Sequence, residues 1–128
     1  MHHNPAPRKA TARIRELIIE CLKTPNRRFI HENPSRHYLD SWGITDIGLY
    51  EELAEDLETH ELFLKPKQNP QQPQKYQYVL RGSDDDQTTI LIHVTMGHNE
   101  DPPMVKLSVH PHDTGYNPLP RIPINKIR

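Results

Sequence analysis

"VKLSVHPHD", Val105 to Asp113, is the stretch on which the reading of the chain turns. Val105, Leu107 and Val109 alternate with Lys106, Ser108 and His110, the period of a half-buried β-strand. The strand then ends in His110, His112 and Asp113. Two stretches before it share the period. Lys75–Arg81 sets Tyr76, Tyr78 and Leu80 against Lys75, Gln77, Val79 and Arg81. Thr88–Thr95 sets Ile90, Ile92 and Val94 against Thr89, Leu91, His93 and Thr95. The turn-forming segments GSDDDQ and GHNEDPP between them are short, which predicts an antiparallel meander. Leu62–Lys65 is a candidate short strand ahead of it.

Upstream the period is helical. Between Ala10 and Lys23 the residues Ile14, Leu17, Ile18, Cys21 and Leu22 form one apolar stripe, which Thr24-Pro25-Asn26 ends. A short helical turn follows over Ser35–Ser41, closed by Trp42-Gly43. Thr45 is a fitting N-cap for a second long helix with the stripe Ile47, Tyr50, Leu53, Ala54 and Leu57. Its outer face is acidic through Glu51, Glu52, Glu55, Asp56 and Glu58. Helices first and strands afterwards predict an α+β fold, with N-terminal helices packed on one face of a three- to four-stranded antiparallel sheet. Residues 1–9 are expected to be disordered, 10–115 to form a single domain, and 116–128 to be a Pro-rich arm.

A chain of 128 residues suits one domain with a modest core. It has no apolar run near the roughly 18 residues that span a bilayer and no apolar leader, so the expectation is a soluble cytoplasmic protein with no membrane partner. The single cysteine, Cys21, excludes an internal disulfide and a multi-cysteine metal site, and reads as a buried helix residue. The net charge of −1 hides strong blocks: +5 over residues 1–38, −8 over 39–62 and +4 over 63–81. The basic segments keep nucleic acid open as a partner.

If the helices cover the Ile90/Val105 side of the sheet, the other side gathers Lys75, Gln77, Arg81, His93, Lys106, Ser108 and His110, with His112 and Asp113 beyond its end. One reading is a plain solvated face. A second is a zinc hydrolase held by His110, His112 and Asp113. Against it, Asp113 follows His112 directly and Thr114-Gly115 come next, so the His-x-His-x-Asp-His pattern of binuclear hydrolases fails. No Gly-x-Ser-x-Gly elbow and no phosphate-cradling Gly-rich loop is present. A third reading, metal-free cleavage of RNA, suits the composition. That reaction needs a base for the 2′-hydroxyl, an acid for the 5′-oxygen, and cations for the phosphorane, roles for His, Lys and Arg. Tyr76, Tyr78 and Tyr116 offer rings for base stacking, although the first two also fit the core.

From roughly Ala10 to Asp113, the segments "LDSWGITDIGLYEELAEDLET", "HELFLK", "YQYVL", "LIHVT" and "KLSVHPHD" follow one another in an order that resembles the MqsR family. That family comprises ribonuclease toxins of bacterial type II toxin–antitoxin systems, within the wider RelE-like fold. The resemblance implies a RelE-like domain that cleaves mRNA without metal or cofactor and is bound by a cognate antitoxin. Position by position, the family's lysine falls on Lys65 and its glutamine on Gln77. Its catalytic tyrosine falls on Leu91, which leaves that role unfilled, and its terminal lysine falls on His110. The site expected on this basis has His110 as base or acid and His93 or His112 as its counterpart. Lys65, Lys75, Arg81 and Lys106 would face phosphate, Gln77 would position substrate, and Asp113 would orient a histidine. The rival class is a non-enzymatic binding module using the acidic helix and the Pro-rich tail. A homodimer is compatible with both.

Overall fold

A computed structural model describes residues 8–64, 74–81, 89–96, 102–111 and 121–123. Helix α1, Ala12–Leu22, begins where the Thr11 hydroxyl accepts a hydrogen bond from the Ile14 N–H at 3.2 Å. It buries Ile18, Cys21 and Leu22 and half-buries Ile14 and Leu17, as the spacing predicts. A 3₁₀ turn, Pro25–Arg27, leads into strand β1, Arg28–Ile30. Helix α2, Ser35–Trp42, ends at Gly43, whose φ of 69° is the left-handed conformation that favours glycine. Helix α3, Asp46–Asp56, is capped by Thr45, whose hydroxyl accepts from the Gly48 N–H at 3.0 Å. A bidentate pair from Arg36 to Asp46, both contacts 2.9 Å, ties α2 to the first turn of α3.

The strands follow: β2 Phe63–Leu64, β3 Gln74–Arg81, β4 Thr89–Met96, β5 Val105–Pro111 and β6 Arg121–Pro123. The expected meander is present as the antiparallel run β3-β4-β5. The sheet around it corrects the expected three- to four-stranded antiparallel arrangement. Its order is β1-β5-β4-β3-β2, with β6 also on β3, and it is mixed because β1 runs parallel to β5 and β6 parallel to β3. A parallel neighbour requires a long crossover, and α2 and α3 lie within the connection from β1 towards β5. The outer edge of β3 is shared: β2 covers Tyr76 and Gln77, β6 covers Val79–Arg81. The described part of the Pro-rich arm therefore packs on its own domain. Arg8 and Lys9, expected in a disordered N-terminus, pair instead with β2; Lys9 bridges Phe63, and the Leu64 N–H donates to the Arg8 carbonyl at 2.7 Å.

Alternation sends Tyr76, Tyr78, Ile90, Ile92, Val94, Met96, Val105, Leu107 and Val109 into the layer between sheet and helices, each under a tenth exposed. β1 adds Ile30 to this layer. The β1 ladder stops at Ile30, and His31 N–H donates to the Leu107 carbonyl at 2.9 Å. The next N–H along that edge of β5, on Val109, donates to the Ser35 hydroxyl at 2.9 Å, and Ser35 is fully buried. The first residue of α2 thus completes an edge that β1 is too short to cover.

An unsatisfied buried N–H costs about 1–3 kcal/mol. Ser35→Ala is therefore expected to lower unfolding free energy by about that amount in a urea titration, with unchanged m-value. Ser35→Thr, which keeps the acceptor, is expected to lose less. An alanine variant as stable as the parent would show that the hydroxyl does not matter to the fold.

Candidate functional site

Cross-strand register determines which side chains meet on the face away from the helices. One row runs Phe63, Gln77, His93, Ser108; the next runs Lys75, Thr95, Lys106, Phe29; and Leu91 stands opposite His110. Lys75 is exposed, while Gln77, His93, Lys106, Ser108 and His110 are half-buried. None of these outward residues is acidic. The expected gathering of cationic and titratable groups on one face is thus found for Lys75, Gln77, His93, Lys106, Ser108 and His110. Lys65, His112, Asp113 and Tyr116 lie outside the described residues, and the description of Arg81 covers its backbone alone.

Within this face the two histidines are neighbours. The rings of His93 and His110 lie 5.3 Å apart between centroids, tilted by 59°. Nε2 of His110 and the Ser108 hydroxyl share a hydrogen bond of 3.3 Å. Nε2 of His93 is shielded from solvent. Both rings stand on strands in the middle of the sheet, so their relative placement is fixed by backbone pairing rather than by loops. Leu91 packs with Phe63 in a small apolar cluster at the β2 side of the same face. Among the described residues no three His, Cys, Asp or Glu side chains are grouped so as to hold a metal ion.

One member of this face has no counterpart in the sequence reading. Phe29, on β1, pairs with Lys106 and is 41 % exposed. Its ring meets that of His31 edge-on, with centroids 5.2 Å apart and planes at 87°. Three residues of strand carry too little alternation to be recognised, so only the register against β5 reveals the placement.

A second cluster was missed for a different reason. Glu52 and Asp56 belong to the predicted acidic outer face of α3, yet Glu52 is buried and Asp56 half-buried against β3. The true stripe starts at Leu49, so Glu52, Leu53 and Asp56 follow at i+3, i+4 and i+7, while Ile47 is 57 % exposed. Oε2 of Glu52, Oδ2 of Asp56 and the Tyr78 hydroxyl are all shielded from solvent, and the Tyr78 hydroxyl faces the Asp56 carboxyl. Burial, and then the charge of Glu52, push the Asp56 carboxyl up to about 6, with His60 and Tyr78 offsetting part of the rise. Burial and the nearby Asp56 raise the Tyr78 phenol. The two carboxyls on adjacent turns make a structural acid pair beneath the sheet, in which the raised affinity of Asp56 for its proton relieves the repulsion. Cys21 is equally interior: its thiol lies 3.4 Å from the Pro103 carbonyl and burial raises its pKa, which makes it a poor nucleophile.

A carboxyl raised from 3.8 to about 6 binds its proton more tightly in the folded chain than in the unfolded one. The stability it contributes is present below about pH 4 and lost as pH rises through about 6. The expected outcome is that Asp56→Asn becomes progressively more stable than the parent between pH 4 and pH 7. Denaturant midpoints measured across that range check it; a difference independent of pH would contradict the buried acid pair.

No family model, curated protein or solved structure matches the chain, so the function rests on the chemistry of these residues.

Proposed function

We propose that the protein is a metal-independent endoribonuclease of toxin type, with its catalytic face on strands β3 to β5. The observation that carries the proposal is the pair of imidazoles 5.3 Å apart on a sheet face whose described outward residues include lysines and no acid. A phosphodiester lying across the edges of the two rings presents its 2′-hydroxyl to one and its 5′-oxygen to the other. His110, oriented by Ser108, takes the 2′ proton. The 2′-oxygen attacks phosphorus, the bond to the 5′-oxygen breaks, and His93 supplies the proton that the leaving oxygen needs. The products are a 2′,3′-cyclic phosphate and a free 5′-hydroxyl. Lys75 and Lys106 supply positive charge along the strand path, and Gln77, opposite His93 in register, positions the substrate. Lys65 remains a candidate on the family resemblance, and Arg81 and His112 on the strand alternation of the sequence.

The resemblance to MqsR-like toxins of the RelE-like fold agrees with this arrangement in one further respect. The position that holds the family's tyrosine, Leu91, stands directly opposite the position of its terminal lysine, His110. The two functional positions of that family are therefore neighbours here, with an imidazole in place of the lysine and His93 near by to take the part a tyrosine would play. On this reading the substrate is mRNA and the chain has a cognate antitoxin.

A second reading has its own observation. A groove of about 390 Å³ between α1 and α3 is lined by Leu22, Lys23, Arg28, Ala54 and the acidic Glu51, Glu55 and Glu58. It suits a basic segment of a partner protein, either the antitoxin or, in a non-enzymatic module, the sole ligand.

Purified protein incubated with end-labelled RNA is expected to cleave it with and without chelator. His110→Ala and His93→Ala are each expected to lower the rate by roughly 10²- to 10⁴-fold. Cleavage lost only with chelator would assign the chemistry to a metal. Cleavage unaffected by either substitution would overturn the site.

A further inference from the structure

We propose that Phe29 is a stacking platform for an unpaired base of single-stranded RNA, on the face of the histidine pair and at the β1 edge of the sheet. The proposal rests on the ribonuclease reading above for the class of its ligand. A single exposed apolar residue is ordinary on a protein surface. Phe29 stands out by its position. It shares the outward face with His93 and His110, and it is paired in register with Lys106, a cation one strand spacing away. Among the residues whose side chains are described only Phe29 and Ile47 are large, apolar and exposed, and Ile47 is on α3.

The geometry suits a nucleotide. Strands lie about 4.8 Å apart and rise about 3.3 Å per residue, so Phe29 is roughly 14 Å from the His110 position, four residues along β5 from Lys106. A short single strand spans that distance, with a phosphate at Lys106 and the scissile phosphate at the histidines. The edge-on His31 ring contact supports the Phe29 ring on one side. A base stacks on the face of such a ring whatever its identity, so the platform selects for unpaired nucleotides rather than for a sequence. A duplex, whose bases are already stacked, gains nothing from it.

The test uses the full-length chain and a fluorescent single-stranded RNA fully 2′-O-methylated, which lacks the attacking hydroxyl and remains intact. Anisotropy gives the affinities of the parent, Phe29→Ala, Phe29→Trp and His110→Ala, with the duplex form of the same RNA as comparison. Phe29→Ala is expected to weaken single-strand binding roughly 5- to 150-fold, Phe29→Trp to retain it, and the duplex to bind with no dependence on Phe29. Parent and Phe29→Ala binding the single strand equally would overturn the platform, as would an equal loss with the duplex. If cleavage of ordinary RNA depends on His110 while single-strand binding ignores Phe29, the platform fails and the catalytic reading stands. If binding depends on Phe29 while no RNA is cut, the platform stands and the catalytic reading fails. A parent that neither binds nor cuts single-stranded RNA overturns both.

Discussion

The register of β4 against β5 is the constraint on which the rest of the structure depends. With Ile92 opposite Val109 and His93 opposite Ser108, the buried residues Ile90, Ile92, Val94, Met96, Val105, Leu107 and Val109 face the helices and both imidazoles face away, with Leu91 on their side. A slip of one residue would invert both sets, exposing the core and burying histidine and lysine under the helices. The same pairing that stabilises the domain therefore also builds the polar face. Stability and site are consequences of one alternation, and the site needs no loop to hold its two rings together.

The helix layer shows a less tidy division of polar and apolar groups. α3 places a carboxylate pair inside, against Tyr78, while exposing Ile47. Burial of charge is unfavourable, and a proton on Asp56 relieves it. The acidic remainder of α3, on the other side of the molecule's chemistry, contrasts with the outward sheet residues, which lack acids.

Much of this was legible in the sequence because long regular elements announce themselves. The stripe of α1, the Thr45 cap, the Gly43 stop and the alternation of β3, β4 and β5 each rest on several residues at a fixed period. That alternation also gave the grouping of Lys75, Gln77, His93, Lys106, Ser108 and His110. It did not give distances, so the contact between His93 and His110 required the register. β1 and β6, three residues each and parallel to strands remote in sequence, leave no local pattern. Glu52 and Asp56 were misplaced because Ile47 is the more obvious start of a stripe. A stripe counted from Leu49 would have carried both acids inward, against the general expectation that glutamate is outside.

The most direct test of the central claim, that the outward face of β3 to β5 is the functional surface, is to map ligand contacts residue by residue. Isotope-labelled protein titrated with the 2′-O-methylated RNA is expected to shift the NMR signals of Gln77, His93, Lys106, Ser108 and His110, leaving Glu51, Ala54 and Glu58 of the α1–α3 groove unmoved. Shifts confined to the groove, or none on the sheet face at saturating RNA, would contradict the account.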